Sequence, residues 1–292
     1  PADLGFYDLR LPEARAAQAE LALAYGVDAF VYYHYWFNGR QVLERPVREI
    51  LQSGQPDFPF CLCWANEDWT RVWDGHSGER LLHQDYSAED DLAHIRQLMP
   101  YLADPRYVRV DGRPLLLVYR TESMPEPQRT AACWRSEALR LGVGDLYLAS
   151  VESFRSDVDP ASIGFDAAVE FAPDWRKARP RAFGLGRRLA AKVGLIPRGW
   201  IEHRWADYDD LVASMRAKPD PGFRRIRCVT PGFDNSARRK RGAMIFLNST
   251  PEAYGRWLEE TLRAELALGL PADQQLVFVN AWNEWAEGSH LE

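Results

Sequence analysis

Short apolar runs alternate with amphipathic stretches along nearly the whole chain. The runs are DAFVYYHY at 28–35, FPFCLCW at 58–64, PLLLVYR at 114–120, DLYLASV at 145–151, DAAVEFA at 166–172, RIRCVTP at 225–231 and QLVFVNAW at 275–282. Each is rich in β-branched and aromatic residues with no polar face, as a strand covered on both sides requires. Helical patterns at 12–25, 43–52, 88–102, 126–141, 207–217 and 252–268 separate most of them. Strands that alternate with helices imply parallel pairing. The leading helix has no strand before it, which points to eight units with the first strand missing. The expectation is an α/β fold: a (β/α)8 TIM-type barrel lacking its first strand in this sequence. An open doubly wound sheet is disfavoured, because no glycine-rich phosphate turn follows an early strand.

The 292 residues are enough for one large core, so a single barrel domain over 1–292 is expected, with both ends looking cut. Net charge is −6, which argues against non-specific nucleic-acid binding. No apolar stretch reaches membrane-spanning length and no secretory leader pattern is present. Cys61, Cys63, Cys133 and Cys228 match no zinc spacing. They read as free thiols in a reducing compartment, so a cytoplasmic location is expected, with no metal and no cofactor. One segment breaks the rhythm. Residues 176–204 hold nine Lys or Arg and one acid, Glu202. They read as an inserted loop with a short basic helix near 184–194, expected to be the least packed part of the chain. It would be peripheral to an anionic membrane or a lipid-linked glycan, with Arg187, Arg188 and Lys192 as contacts, or else a solvated cover on the barrel.

Barrel enzymes place their chemistry where strands end. Here those points are crowded. The first strand carries Tyr33 and leads into His34, Trp36 and Asn38. The second ends in WANEDWTRVWDG, with Asn66, Glu67, Trp69, Arg71, Trp73 and Asp74. The third ends at Tyr119. PGFDNSARR brings Asp234, Asn235 and Arg238, and NAWNEWAEG brings Asn280, Trp282, Asn283, Glu284, Trp285 and Glu287. Six of the 11 Trp lie in these segments, so the aromatic excess gathers at strand ends. Rings that stack on a sugar face, beside amides and carboxylates that bond its hydroxyls, describe a glycan site. Glu284 and Glu287 stand out, because glycosidic bond cleavage needs a proton donor and a base or nucleophile. Trp285 can shield Glu284 from water and raise its pKa. Glu67 reads equally as a partner of Arg71. His34 reads as a positioning or core histidine ahead of a base. The D-x-D at 207–209 lies at a helix start, where Asp is a common cap.

Together VYYHYWFNGR, CWANEDWTRVWDG, LLLVYR, PGFDNSARR and NAWNEWAEGSHLE resemble, in order and almost end to end, the signature blocks of WbsX-type proteins. Those proteins are found with O-antigen and other surface-polysaccharide genes and are similar to glycoside hydrolase family 99, the endo-α-mannosidases and endo-α-mannanases. The resemblance implies a metal-free (β/α)8 barrel that retains anomeric configuration in bacterial polysaccharide metabolism. It implies that Glu284 assists the sugar's own 2-hydroxyl to form a 1,2-anhydro intermediate. It implies that Glu287 protonates the leaving group and later activates water. It also implies a first strand upstream of PADLGFYDL and a continuation past HLE. Two other classes stay open: a transferase using a nucleotide- or lipid-linked sugar, and a non-catalytic glycan-binding barrel.

Overall fold

The computed structural model describes residues 3–71, 76–178, 180–181 and 185–292, with side chains described for all of these except 71, 76–79, 185, 187, 188 and 192. Of the expected site residues, Trp73 and Asp74 lie outside the described residues. The side chains of Arg71, Arg187, Arg188 and Lys192 do as well. All seven expected strands are present, and the chain divides into two compact units.

The first unit covers 1–168, 223–225 and 272–274. It holds helix α1 (Pro12–Ala24), strands β1 (Phe30–Phe37) and β2 (Arg40–Val42), α2 (Arg45–Ser53), and β3 (Phe60–Trp64). The hairpin β4 (Trp69–Arg71) and β5 (His76–Leu82) follows, then α3 (Ala88–Leu102), β6 (Arg109–Val110) and β7 (Arg113–Val118). It closes with α4 (Pro127–Arg140) and β8 (Tyr147–Glu152). The order β1, β3, β7, β8 is parallel throughout, with Phe30 opposite Phe60, Leu62 opposite Leu116 and Leu115 opposite Tyr147. Every residue of β3 and β8 is buried, which explains their unbroken apolar sequence. One hairpin was not foreseen. Asn38 and Gly39 take positive φ of 48° and 81°, a two-residue turn that folds β2 antiparallel onto the C-terminal end of β1.

Behind β1 and β3 lies a polar cluster in the core. His34 is 6% exposed and its Nε2 lies 2.9 Å from Nε2 of His94, which is 1% exposed. Gln41 approaches His34 Nδ1 at 3.4 Å, so His34 donates from Nε2 and both rings are neutral. Burial pushes His34 down to about 4 and holds His94 well below its ordinary value. The unfolded chain, with imidazoles near 6.5, therefore binds protons that the folded chain refuses. Stability should be full above about pH 6.5 and fall as pH drops toward 4, by about 3 kcal/mol for His34 alone. Urea midpoints across that range check this: the fall should shrink in His34→Gln, and an unchanged slope would refute it.

The second unit covers 169–222, 226–271 and 275–292. Strand β9 (Ala167–Glu170) leads into it, followed by α5 (Leu185–Lys192), α6 (Gly199–Glu202), β10 (Arg204–Asp207) and α7 (Tyr208–Arg216). Then come β11 (Arg225–Val229), β12 (Met244–Leu247), α8 (Pro251–Leu266), β13 (Val277–Val279), β14 (Asn283–Glu284) and β15 (Ser289–His290). β11 and β13 pair in parallel through Cys228 and Phe278. The end of the basic insert is not plain loop: β10 pairs in parallel with β12, and Trp205 stacks on Trp200 at 4.4 Å. Asp207 accepts from Asp209 N as the N-cap of α7, so that D-x-D caps a helix as its position suggests.

Charged groups are also buried in this unit, and they are paired. Glu170 and Asp174 are 3% and 2% exposed, and Lys218 Nζ lies 3.8 and 3.1 Å from their carboxylates. Arg227 donates to Glu170 at 2.9 Å. Lys218→Met would take the shared cation from two buried carboxylates, leaving Glu170 to Arg227 and Asp174 to Arg176, so it should cost about 3 kcal/mol in urea unfolding. A variant as stable as the parent would refute the network's role.

All four cysteines are unbridged. Among the described residues no helix is long and apolar enough to cross a membrane.

Candidate active site

The carboxylate pair is shaped by the segment after β13. Asn280 fastens its start: the backbone N–H donates to Val229 O at 2.9 Å and Nδ2 to Ala172 O at 2.8 Å. The chain then doubles back, with Asn283 opposite His290 and Glu284 opposite Ser289. A single 3₁₀ turn, Trp285–Glu287, joins the two short strands, and Gly288 closes it at φ 56°. A side chain at Gly288 would meet Asp234 N at 3.0 Å and Asp234 Cβ at 3.1 Å, so only glycine fits this approach. Asp234 N donates to Glu287 O at 2.7 Å and seals the contact. The E-x-x-E spacing thus spans one tight turn.

That turn sets both carboxylates against one cation. Arg238 Nη1 lies 2.8 Å from Glu287 Oε1 and 3.9 Å from Glu284 Oε1. The Glu284 and Glu287 side chains are 40% and 27% exposed. Burial raises both above the ordinary glutamate value, and the charge of Glu284 raises Glu287 further. Arg238 opposes both shifts, and Arg239 opposes that of Glu287. Two half-buried carboxyls, both raised above the ordinary glutamate value beside a shared guanidinium, suit proton transfer.

The neighbours are supports. Asp234 is exposed and accepts from Ser236 N at 2.9 Å, while buried Asn235 accepts from Met244 N at 2.9 Å. Trp282 and Trp285 are half-buried, and the Trp282 carbonyl accepts from Leu291 N at 2.9 Å.

The first unit holds the other expected residues, and they divide by burial. Tyr33 is 44% exposed and meets Tyr119 edge to face at 5.9 Å. Trp69 is half-buried and sets its ring against Tyr35 at 5.2 Å and Phe37 at 5.7 Å. These rings are available at the strand ends. His34 and Trp36 are not. Trp36 is 4% exposed, stacks on His94 at 5.0 Å and donates to Asp90 at 2.9 Å. Asn66 is 1% exposed and ties two loops, donating to Arg120 O at 2.8 Å and accepting from Arg120 N at 2.8 Å. Glu67 pairs with Arg120 at 2.6 Å; the side chain of Arg71, its expected partner, lies outside the described residues.

Sequence reasoning also passed over a cavity of about 220 Å³ beyond β7 and β8, lined in part by Glu122, Ser150, Glu152 and Arg155. No periodicity or spacing marks those residues as neighbours. Among the described residues no cluster of His, Cys, Asp or Glu could hold a metal ion.

The family model described as glycosyltransferase WbsX matches residues 1–292. Two curated relatives, "Uncharacterized protein WxcX" from Xanthomonas campestris pv. campestris strains ATCC 33913 and B100, are each 44% identical over all 292 residues. The chain spans 40% of the length of those relatives. Among solved structures, a "Glycoside hydrolase-like protein" matches with a TM-score of 0.59 at 11% identity, over 99% of this chain and 81% of that one. The GH99 endo-alpha-mannosidase from Bacteroides thetaiotaomicron matches with a TM-score of 0.56 at 15% identity, over 99% of this chain and 72% of that one. At these identities the likeness is one of fold.

Proposed function

Since this chain belongs to the WbsX glycosyltransferase family, we propose that it cleaves or transfers an α-linked, mannoside-like sugar with retention of configuration, in bacterial surface-polysaccharide (O-antigen) metabolism. On this reading its parallel strands belong to a (β/α)8 barrel. One observation carries the proposal: Glu284 and Glu287 flank a single turn, both are raised by burial, and they share Arg238. Glu284, ionised, takes the proton of the sugar's 2-hydroxyl as that oxygen attacks the anomeric carbon. The bond to the leaving oxygen breaks as Glu287 protonates it. A 1,2-anhydro sugar results; Glu287 then deprotonates water or an acceptor hydroxyl that attacks the anomeric carbon, and Glu284 returns its proton to O2 as the C1–O2 bond breaks. Arg238, 2.8 Å from Glu287 and 3.9 Å from Glu284, steadies both carboxyls, while burial and the charge of Glu284 hold Glu287 to its proton against that pull. Trp282 and Trp285, half-buried next to the pair, supply rings for the sugar faces.

The family's transferase name keeps transfer and hydrolysis as alternative fates of one intermediate. The test is to incubate the protein with surface polysaccharide of the source strain and label new reducing ends. New ends support hydrolysis. A longer glycan on an added acceptor, with no new ends, supports transfer. Neither product, from folded protein given both substrate and acceptor, refutes the proposal and favours a glycan-binding role.

A further inference from the structure

Arg238 opens a run of four cations, Arg238–Arg241, in a stretch with no acidic residue between Asp234 and Glu252. In a chain of net charge −6 this is a local reversal of sign. An ordinary solvated face intersperses both signs.

The run is held, not trailing. Before it, the Asn235 side chain accepts from Met244 N at 2.9 Å, and Asp234 bridges antiparallel to Ile245. After it, Gly242 reverses the chain at φ 68° and donates to Glu202 O at 2.7 Å. The loop is thus closed at its neck and pinned to the end of α6, so its cations have little backbone freedom left to lose on binding.

Its cations are differently engaged. Arg238 is committed to Glu287 and Glu284. Arg241 makes one loose pair with Glu202 at 3.5 Å and its side chain is 78% exposed. Arg239 and Lys240 are exposed, and among the described residues neither has a carboxylate within ion-pairing distance. Arg239 is close enough for its charge to act on Glu287.

We propose that Arg239, Lys240 and Arg241 seat a diphosphate carried by the glycan substrate, beside the carboxylate pair. This deepens the functional reading and rests on it for the glycan. The chemistry fits: guanidinium groups bond phosphate oxygens in pairs, and an ammonium adds a point charge. Three adjacent cations match a multiply charged group better than a single carboxylate. Arg238 screens the incoming anion from Glu284 and Glu287, which would otherwise repel it. Both lipid-linked and nucleotide-linked glycans carry such a diphosphate.

The test uses inorganic pyrophosphate, titrated calorimetrically into the protein, with sulfate at matched ionic strength as control. The protein should bind pyrophosphate more tightly than sulfate. Combined Arg239→Gln, Lys240→Gln and Arg241→Gln should weaken it by about tenfold per side chain, and Lys240→Arg alone should not. These are exposed surface changes, so the melting temperature should hold. Equal affinity for sulfate, or a triple variant that binds as the parent does, overturns the proposal. Displacement by GDP assigns the nucleotide source. Displacement by vesicles bearing a polyprenyl diphosphate, but not by phosphatidylcholine vesicles, assigns the lipid source. Glu287→Gln separates the two readings: it should keep pyrophosphate binding while losing turnover. Lost turnover with kept binding speaks to the reaction, and lost binding in the triple variant speaks to the cationic loop.

Discussion

Glu287→Gln should lower turnover on glycans with poor leaving groups by about 100- to 10,000-fold, the scale of a lost general acid. A sugar hydroxyl leaves only if it is protonated as the bond breaks. Glutamine keeps the shape and the contact with Arg238 but has no acidic proton to give. An aryl glycoside with a stabilised phenolate needs no such proton, so its first step should be far less affected. The two substrates therefore diverge in this variant. An equal loss on both would mean that Glu287 positions the substrate and donates nothing. The parent enzyme's pH profile adds a second readout. In the proposed route Glu287 must be protonated to act first, and burial and Glu284 both raise its pKa. Activity should fall as pH rises through that raised value, on an alkaline limb above the ordinary glutamate range. In Glu287→Gln, tested on the aryl glycoside, that limb should vanish.

The sequence was legible where one physical demand dominates. Strands covered on both faces have nowhere to place a polar side chain, so β3 and β8 announce themselves as unbroken apolar runs. The carboxylate pair was legible because its elements are neighbours in the chain, joined by one turn that Gly288 permits. What stayed hidden depends on distant pairing. β10 and β12 are four residues each and begin 40 positions apart, too short to show a period. His94 sits in a helix with nothing nearby to mark it, and only folding sets it against His34 and Trp36. For the same reason Trp36 and Asn66, grouped by sequence with the exposed rings, are core residues. Aromatic and amide residues serve packing and sugar binding equally well, and composition does not separate the two uses. The closed loop behind Arg238–Arg241 rests on Asn235 and Gly242 contacts that no sequence pattern shows.

Glu284→Gln should damage glycan and aryl glycoside turnover alike, by a similar 100- to 10,000-fold, because both need attack at the anomeric carbon. In the proposed route Glu284 never bonds to that carbon, so azide has no covalent vacancy to fill and should not restore activity. Trapping with a 2-fluoro sugar should likewise leave the protein mass unchanged, since the attacking 2-hydroxyl is gone. A glycosyl adduct on Glu284 would overturn this in favour of direct double displacement. The charge of Glu284 gives the variant a further signature. In that route Glu284 must be ionised to act, and burial raises its pKa, so the acid limb of the parent profile should also lie above the ordinary glutamate range. Once ionised, it repels the charged form of Glu287 and keeps that group protonated to higher pH. Glutamine at 284 removes the repulsion while Arg238 and Arg239 still favour the Glu287 carboxylate. The alkaline limb of the residual activity should then move to lower pH. A limb that stays in place would show that the two carboxyls do not sense each other, and the division of labour between them would fall.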